Sequence, residues 1–367
     1  MLQAALMRCM TSVLLFIAFT LLSSTSNSRL VKGINPSPRP VSSSRDGIYS
    51  QILERILMDS KSSQFVLGRS NKGREVQAFY FPGKTERRAL IIGGMHGSEL
   101  SSIEVAFELL KQLKNGDSTY YSVIVIPSLF PDNAATAKQY PARIGDPDNI
   151  GRYSYAGAVD PNRQMPTPGH SFDEDHCIDH VGRKMENETT LLLELIHQYR
   201  PQRIVNLHAI RNTERAGVFA DPRTDHNSFA LGYESDSSLA VTMAWAIRQE
   251  GGYVPGNNLQ HKPTALYYKD PLPVAEGAFQ PRNFKGSFIP GQRGGGVSLG
   301  TWAATAVVDK NDPNRNRDAM RIITMEFPGS KRPVDYKKEL QPHYAQQVSS
   351  YASSIRTVFL GDYFPES

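Results

Sequence analysis

Two short segments of the sequence carry the residue types of a metal site. GGMHGSE at 93–99 follows an apolar run and contains His96 and Glu99, and IVNLHA at 204–209 ends a second apolar run in His208. Two imidazole nitrogens and one carboxylate oxygen suit Zn²⁺, and three protein ligands leave a fourth position open, as in catalytic zinc sites. A lone HxxE pair is more often a turn histidine beside a helix-capping glutamate. The strand-end histidine is therefore what favours the metal interpretation.

A third apolar run, ITMEFPG at 323–329, contains the carboxylate of Glu326. A carboxylate in a buried strand must be paired, neutral or functional. Beside a metal site it can accept a proton from water and return it to a leaving amine. The sequence therefore predicts Glu326 as a general acid/base.

The segment VDPNR at 159–163 groups Asp160, Asn162 and Arg163 in a short polar cluster. An arginine fork fits a carboxylate with two hydrogen bonds, so Asn162 and Arg163 could hold a free carboxylate of a substrate. An Asx-turn with a surface arginine is the simpler alternative.

The elements that must position these residues follow an alternating pattern. Strand-like runs occupy 64–68, 75–81, 89–93, 122–127, 203–207 and 321–327, and helical patterns occupy 98–115, 189–199, 239–249 and 344–359. This alternation predicts an α/β sheet with its site at the strand ends. In the first helix, the apolar positions 103, 106, 107, 110 and 113 are predicted to face the sheet. The stretches 128–187 and 251–300 are predicted to be long functional loops.

The N-terminal segment is typical of exported proteins. Arg8, an apolar stretch over 13–22 and small polar residues predict a secretory signal peptide over 1–28, a Pro/Ser-rich linker over 29–46 and a catalytic domain over 47–367. The apolar stretch is shorter than a span of the roughly 30 Å bilayer core requires, so no stable membrane insertion of the mature chain is expected. We expect a periplasmic or extracellular protein; an uncleaved anchor is the alternative.

Charge and cysteine content limit the partners and the covalent framework. The 41 basic and 36 acidic residues are spread along the chain, with no basic stripe, which argues against a nucleic-acid partner. Cys9 lies in the predicted signal peptide, so the mature chain would have Cys177 as its one thiol and no internal disulfide. A small peptide is the expected partner, and the oligomeric state is left open.

The order of the motifs resembles the zinc carboxypeptidase family. HGSE, DPNR, a strand ending in LHA, SLGTWA at 298–303 and ITMEFPG follow one another as in that family, and the chain is most similar to its bacterial murein tripeptide amidases. The resemblance implies one domain with a mixed, mostly parallel eight-stranded sheet flanked by helices, and one Zn²⁺ ion. It implies ligands at His96, Glu99 and His208 and an acid/base at Glu326.

The resemblance also implies roles for the polar cluster. It makes Asn162 and Arg163 the carboxylate anchors, and Asp160 the residue that orients the first histidine through its other ring nitrogen. The family uses an upstream arginine to polarise the scissile carbonyl, for which Arg152 and Arg143 are the two candidates. The family usually reads DLNRN where this chain has DPNRQ at 160–164.

Together these features predict a zinc metallocarboxypeptidase that cleaves an amide bond beside a free carboxylate. The resemblance favours murein-derived peptides with a γ-D-Glu-diaminopimelate amide. The alternative is an N-acyl amino acid deacylase resembling succinylglutamate desuccinylase and aspartoacylase, which share the ligand pattern. Those enzymes carry a β-rich region after the catalytic glutamate, whereas the segment 327–367 reads as a loop and one helix.

Overall fold

The computed structural model describes Ile56 and residues 61–145, 149–155, 157–227, 229–257, 295–330 and 341–363. The predicted signal peptide, the predicted linker and the predicted domain start at residue 47 lie outside this range. No helix within these described ranges is long and apolar enough to span a membrane.

Eight strands of the described residues form one mixed sheet. They are β1 Ser63–Arg69, β2 Glu75–Phe81, β3 Arg88–Ile92, β4 Ser122–Ile126, β5 Arg203–Ile210, β6 Gly217–Ala220, β7 Gly256–Asn257 and β8 Arg321–Pro328. Their order across the sheet is β1-β2-β4-β3-β5-β8-β6-β7. Four neighbouring pairs are parallel and three are antiparallel. The predicted mixed, mostly parallel eight-stranded sheet is thereby confirmed.

The helices cover both faces of this sheet. They are α1 Leu100–Asn115, α2 Pro131–Gln139, α3 Asn187–Tyr199, α4 Tyr233–Gln249, α5 Leu299–Ala303 and α6 Tyr344–Ser354, which continues as a π-helical turn over Ile355–Phe359. Alternate residues of β3 and β4 divide between two apolar cores, one shared with α1, α4 and α6 and the other with α3 and α5. Because both faces are covered, β3 and β4 are apolar after their first residues, as parallel strands usually are.

Several elements differ from the sequence prediction. The structure adds α2 in a stretch predicted to be a loop, adds the short strands β6 and β7, and begins α4 at Tyr233 instead of residue 239. The prediction that Phe107 faces the sheet is wrong: its side chain is 50% exposed. Val105 and Leu109 are buried in its place, because the buried face of α1 is centred one residue away from Phe107.

A buried acid ties α3 to the β1–β2 turn. Glu188, in the first turn of α3, is 1% exposed, and its Oε1 accepts a hydrogen bond of 3.3 Å from the backbone N–H of Asn71. Burial raises the pKa of Glu188 to about 7; the hydrogen bond from Asn71 opposes this rise, and the charges of Glu186 and Asp132 add to it. Folding therefore favours the protonated acid.

We predict that Glu188→Gln stabilises the protein at alkaline pH. An acid whose pKa is raised by folding costs stability progressively as pH rises from its ordinary value, near 4.5, to about 7. The glutamine keeps the neutral state at every pH. The melting temperature should match wild type at pH 4 and exceed it at pH 8 by at least about 2–4 °C. Roughly 1 kcal/mol produces a shift of that size in a domain of a few hundred residues, and one pKa unit already corresponds to about 1.4 kcal/mol.

Glu234→Gln is the matched control, because Glu234 is an exposed acid in the first turn of α4. Its melting temperature relative to wild type should not rise with pH. An equal offset at pH 4 and pH 8 for Glu188→Gln would contradict the assigned pKa.

Candidate active site

The candidate site forms where three neighbouring parallel strands end at one edge of the sheet. His96 and Glu99 lie between β3 and α1, His208 lies near the end of β5, and Glu326 lies near the end of β8. His208 and Glu326 are direct partners in the parallel β5–β8 register. The strand order thus brings together residues from three distant segments.

His96, Glu99 and His208 converge on one point. Nδ1 of His96 lies 2.8 Å from Oε1 of Glu99, and Nδ1 of His208 lies 2.9 Å from Oε2. Their potential ligand atoms all lie within 4.8 Å of one another, and the side chains are 5–7% exposed. The predicted ligands therefore form one buried cluster.

The chemistry of this cluster fits a zinc ion. Two Nδ1 atoms face the same carboxylate, giving the N₂O donor set of catalytic zinc sites. The other ring nitrogen of His96, Nε2, lies 2.8 Å from Oδ1 of Asp160. A carboxylate on one ring nitrogen fixes the ring and leaves the opposite nitrogen for a metal. Asp160 thus lies where its predicted orienting role requires.

The charges of the cluster stabilise one another. Burial opposes ionisation of Glu99, yet the neighbouring His96 and His208 hold the pKa of this carboxyl well below its usual range. Burial also opposes protonation of His96, but the charge of Glu99 and the hydrogen bonds with Asp160 and Glu99 raise its pKa. The site therefore strongly favours an ionised carboxylate, the form that binds metal.

Of the two candidate arginines, Arg152 reaches the cluster. Its guanidinium donates hydrogen bonds of 2.8 Å to Oε1 of Glu99 and 3.3 Å to Oδ2 of Asp160. Arg143 is exposed at the end of a 3₁₀ turn, with its guanidinium carbon 6.0 Å from the ring centre of Tyr140. The geometry favours Arg152 for the carbonyl-polarising role.

The predicted carboxylate anchors lie in a 3₁₀ turn over Pro161–Arg163. Oδ1 of Asp160 accepts the backbone N–H of Asn162 at 2.8 Å, and Nδ2 of Asn162 lies 3.4 Å from Nε2 of His208. Arg163 is half-buried, and its Nη1 donates to the carbonyl of Asn162 at 2.6 Å. The turn is therefore attached directly to the metal-ligand cluster.

Glu326 is half-buried beside the cluster. Burial raises the pKa of its carboxyl; His208, His96 and Arg152 oppose this rise, and the charge of Glu99 adds to it. A carboxylate made more basic in this way is better suited to accept a proton.

The sequence motifs did not include Asp221, whose carboxylate interacts electrostatically with His208. Asp221 directly follows β6 and accepts a hydrogen bond of 3.0 Å from the hydroxyl of Thr324. Its carboxylate packs so closely on Gly300 that a Cβ there would lie 2.5 Å from Oδ2. Burial raises the pKa of Asp221 to about 6, although Thr324, His208 and Arg163 lower it. In the sequence, the one indication of Asp221 was its position directly after the strand-like run GVFA.

We predict that His208→Ala loses zinc affinity by at least about tenfold, because the variant removes one of three protein ligands. Metal analysis after titration against a chelating competitor measures this affinity. His176→Ala is the matched control: this imidazole is 70% exposed and contacts Asp173, away from the cluster. Full zinc retention by His208→Ala would contradict the ligand assignment.

Solved structures of low sequence identity are similar to this chain. They include carboxypeptidase A from Helicoverpa armigera, with 13% identity, a TM-score of 0.47 and coverage of 84% of this chain and 69% of that one. Murein-tripeptide amidase from Escherichia coli O157 has 19% identity, a TM-score of 0.41 and coverage of 80% and 92%. A metallo-carboxypeptidase from Pseudomonas aeruginosa has 12% identity, a TM-score of 0.45 and coverage of 86% and 69%. No curated protein matches the chain.

The family match agrees with the geometry of the site. The family model described as zinc carboxypeptidase matches residues 52–213. This range contains the HGSE motif, the DPNR turn and the strand that ends in His208. Over residues 52–213 the chain is similar to zinc carboxypeptidases.

Proposed function

We propose that the protein is a zinc metallocarboxypeptidase that hydrolyses an amide bond beside a free carboxylate in murein-derived peptides. His96, Glu99 and His208 would hold the zinc ion, and Glu326 would act as general acid/base. The observation that carries the proposal is the buried two-histidine, one-carboxylate cluster with Glu326 as the direct cross-strand partner of His208.

The catalytic roles follow from the side chains around the cluster. When bound, Zn²⁺ supplies Lewis-acid chemistry that polarises a carbonyl group and makes water more acidic. Glu326 accepts the proton of the attacking water and delivers it to the nitrogen of the leaving amine. Its raised pKa supports both halves of this transfer. Arg152, whose positive charge is directed at the cluster, stabilises negative charge that develops on the carbonyl oxygen.

Asn162 and Arg163 bind the free carboxylate of the substrate. An amide N–H₂ and a guanidinium both donate hydrogen bonds, and the charged arginine adds an ionic component. The contact of Asn162 with His208 supports a carboxylate site next to the scissile bond.

The peptide class is inferred from charge complementarity. In the tripeptide L-Ala-γ-D-Glu-diaminopimelate, the leaving residue carries a free carboxylate beside the amide. The far end of its side chain carries an ammonium group and a second carboxylate on the same carbon. Asp221 offers a half-buried carboxylate near Arg163 and His208, with the neutral hydroxyl of Thr324 as its hydrogen-bond donor. An ammonium group would compensate this charge. The signal-like N-terminus supports an exported enzyme with access to such peptides.

We predict that Glu326→Gln retains zinc and the folded structure but lowers kcat by at least about 100-fold, because an amide cannot accept the proton of water. Steady-state kinetics with metal analysis of the same samples measures both effects. Glu86→Gln, at an exposed acid, is the control. Activity of Glu326→Gln within a few-fold of wild type would exclude Glu326 as the base.

We further predict that the purified enzyme cleaves the γ-D-Glu-diaminopimelate amide faster than the α-peptide bond of ordinary C-terminal L-amino acids. Arg163→Ala should raise KM by about 10- to 100-fold for substrates with a free carboxylate, because a hydrogen bond to a charged group contributes roughly 1.5–3 kcal/mol. The effect should largely disappear on the matching carboxamide substrate. Arg69→Ala, at an exposed arginine of β1, is the control.

The two arms of this experiment contradict different statements. Faster cleavage of plain peptides than of the tripeptide would remove the murein assignment and leave the metallocarboxypeptidase activity. An equal loss on the carboxylate and carboxamide substrates would remove the assignment of Arg163.

A further inference from the structure

Gln164 directly follows the carboxylate-binding turn and is bound by the start of α3. The side chain is 1% exposed. Its Nε2 donates to Oε2 of Glu186 at 2.7 Å. Its Oε1 accepts the backbone N–H of Glu186 at 2.8 Å and the hydroxyl of Thr189 at 3.3 Å. One buried carboxamide therefore makes three hydrogen bonds to a single helix terminus.

These hydrogen bonds supply partners for polar groups at the start of α3 that the helix does not supply itself. Glu186 occupies the N-cap position of α3 and makes no side-chain capping hydrogen bond. The first N–H groups of a helix lack partners within the helix. Gln164 supplies the acceptor from a different segment, so the turn and the helix stabilise each other. Because Leu192, Leu193 and Ile196 of α3 lie in the core, the helix is a firm anchor for the turn.

Contacts to several other segments hold the turn along its length. Upstream, Asp160 caps the turn and contacts His96. In the middle, Oδ1 of Asn162 accepts the backbone N–H of Leu299 at 3.0 Å. Downstream, Nη2 of Arg183 donates to the carbonyl of Arg163 at 3.1 Å. The residues that follow the turn are held by the side chain of Gln164 and by the backbone N–H of Met165, which donates to the carbonyl of Val297 at 3.3 Å.

We infer that Gln164 is a positioning residue: its carboxamide, held by Glu186 and Thr189, sets the orientation of Asn162 and Arg163 for binding the substrate carboxylate. The inference rests on the proposed role of those two residues. It differs from a purely structural role because it predicts a change in KM with unchanged zinc binding. Zinc binding should be unaffected because Asp160 is held independently by Arg152 and His96.

The requirement for an amide gives a sharp test. Gln164→Glu would set a carboxylate against that of Glu186, across the 2.7 Å now spanned by an N–H donor. Two carboxylates this close share a proton and resist ionising together. Burial already raises the pKa of Glu186, against the hydrogen bonds from Ser154 and Gln164. Among the described residues, Glu188 on α3 interacts electrostatically with Glu186 and, on its other side, with Asp132 of α2. The guanidinium of Arg183 donates to the carbonyl of Arg163, the residue before Gln164.

The expected result is a KM that depends on pH. At pH 5 the two carboxyl groups share a proton, so the KM of Gln164→Glu should lie within about threefold of the wild-type KM. At pH 8 the ratio of the variant KM to the wild-type KM should reach at least about tenfold, since one unit of pKa shift corresponds to a factor of ten. The kcat and the zinc affinity should stay within about threefold. Because the KM of each variant is divided by the wild-type KM at the same pH, the pH dependence of the wild-type enzyme does not affect the comparison.

Two further variants keep the test decisive. In the double variant Gln164→Glu/Glu186→Gln the donor and acceptor exchange sides, so the hydrogen bond and the low KM should return at pH 8. Gln249→Glu, at an exposed position of α4, is the charge-matched control and should give a ratio near one at both pH values.

Three outcomes would overturn the inference. They are a KM ratio that is flat with pH, a parallel loss of zinc and kcat, and a fall in melting temperature without any change in KM. If Gln164→Glu does not fold, a folded double variant with an unrestored KM overturns it as well. Failure of the proposed function is recognised separately, because wild type would then cleave free-carboxylate and carboxamide substrates equally.

Discussion

The carboxylate of Glu99 is the group on which the candidate site depends. It is buried, and it contacts Nδ1 of His96, Nδ1 of His208, a guanidinium N–H of Arg152 and the backbone N–H of Ala209 at 2.8–3.0 Å. A buried charge that loses a partner costs roughly 3–5 kcal/mol. The β3–α1 turn, the end of β5 and the loop before Asp160 must therefore all be in place together. The geometry that suits a metal is also the geometry that compensates this charge.

A single oxygen joins the metal-ligand cluster to the proposed carboxylate site. Oδ1 of Asp160 contacts Nε2 of His96 and also accepts the backbone N–H of Asn162, each at 2.8 Å. The orientation of one ligand and the start of the anchoring turn thus share an atom. Since the turn is also held by Leu299 and Arg183, substrate binding and metal binding are tied to α5 and the adjoining loops. A substitution in the turn can therefore change KM and leave the metal ligands undisturbed, provided that Asp160 stays in position.

The sequence was sufficient to locate the strands that read as apolar runs and the candidate site residues near their ends. The buried strands β3, β5 and β8 read as apolar runs, and His208 and Glu326 near their ends indicated one edge of the sheet. Elements without a pattern were missed: β6 and β7 span four and two residues, and α2 begins at a proline with little apolar character. The choice between Arg152 and Arg143, and the role of Asp221, depended on neighbours from distant segments, which spacing along the chain does not reveal.

The proposed base and the ligand cluster form one electrostatic unit. Glu326 is basic because it is buried and because Glu99 is negative, whereas His208, His96 and Arg152 lower its pKa. The same groups compensate the charge of Glu99. Their positions are set by the β5–β8 register, in which His208 and Glu326 are paired, and by the turn that carries His96. A one-residue shift of β8 would turn Glu326 to the opposite face of the sheet. Strand register is therefore as much a determinant of the basicity of Glu326 as the identity of its neighbours.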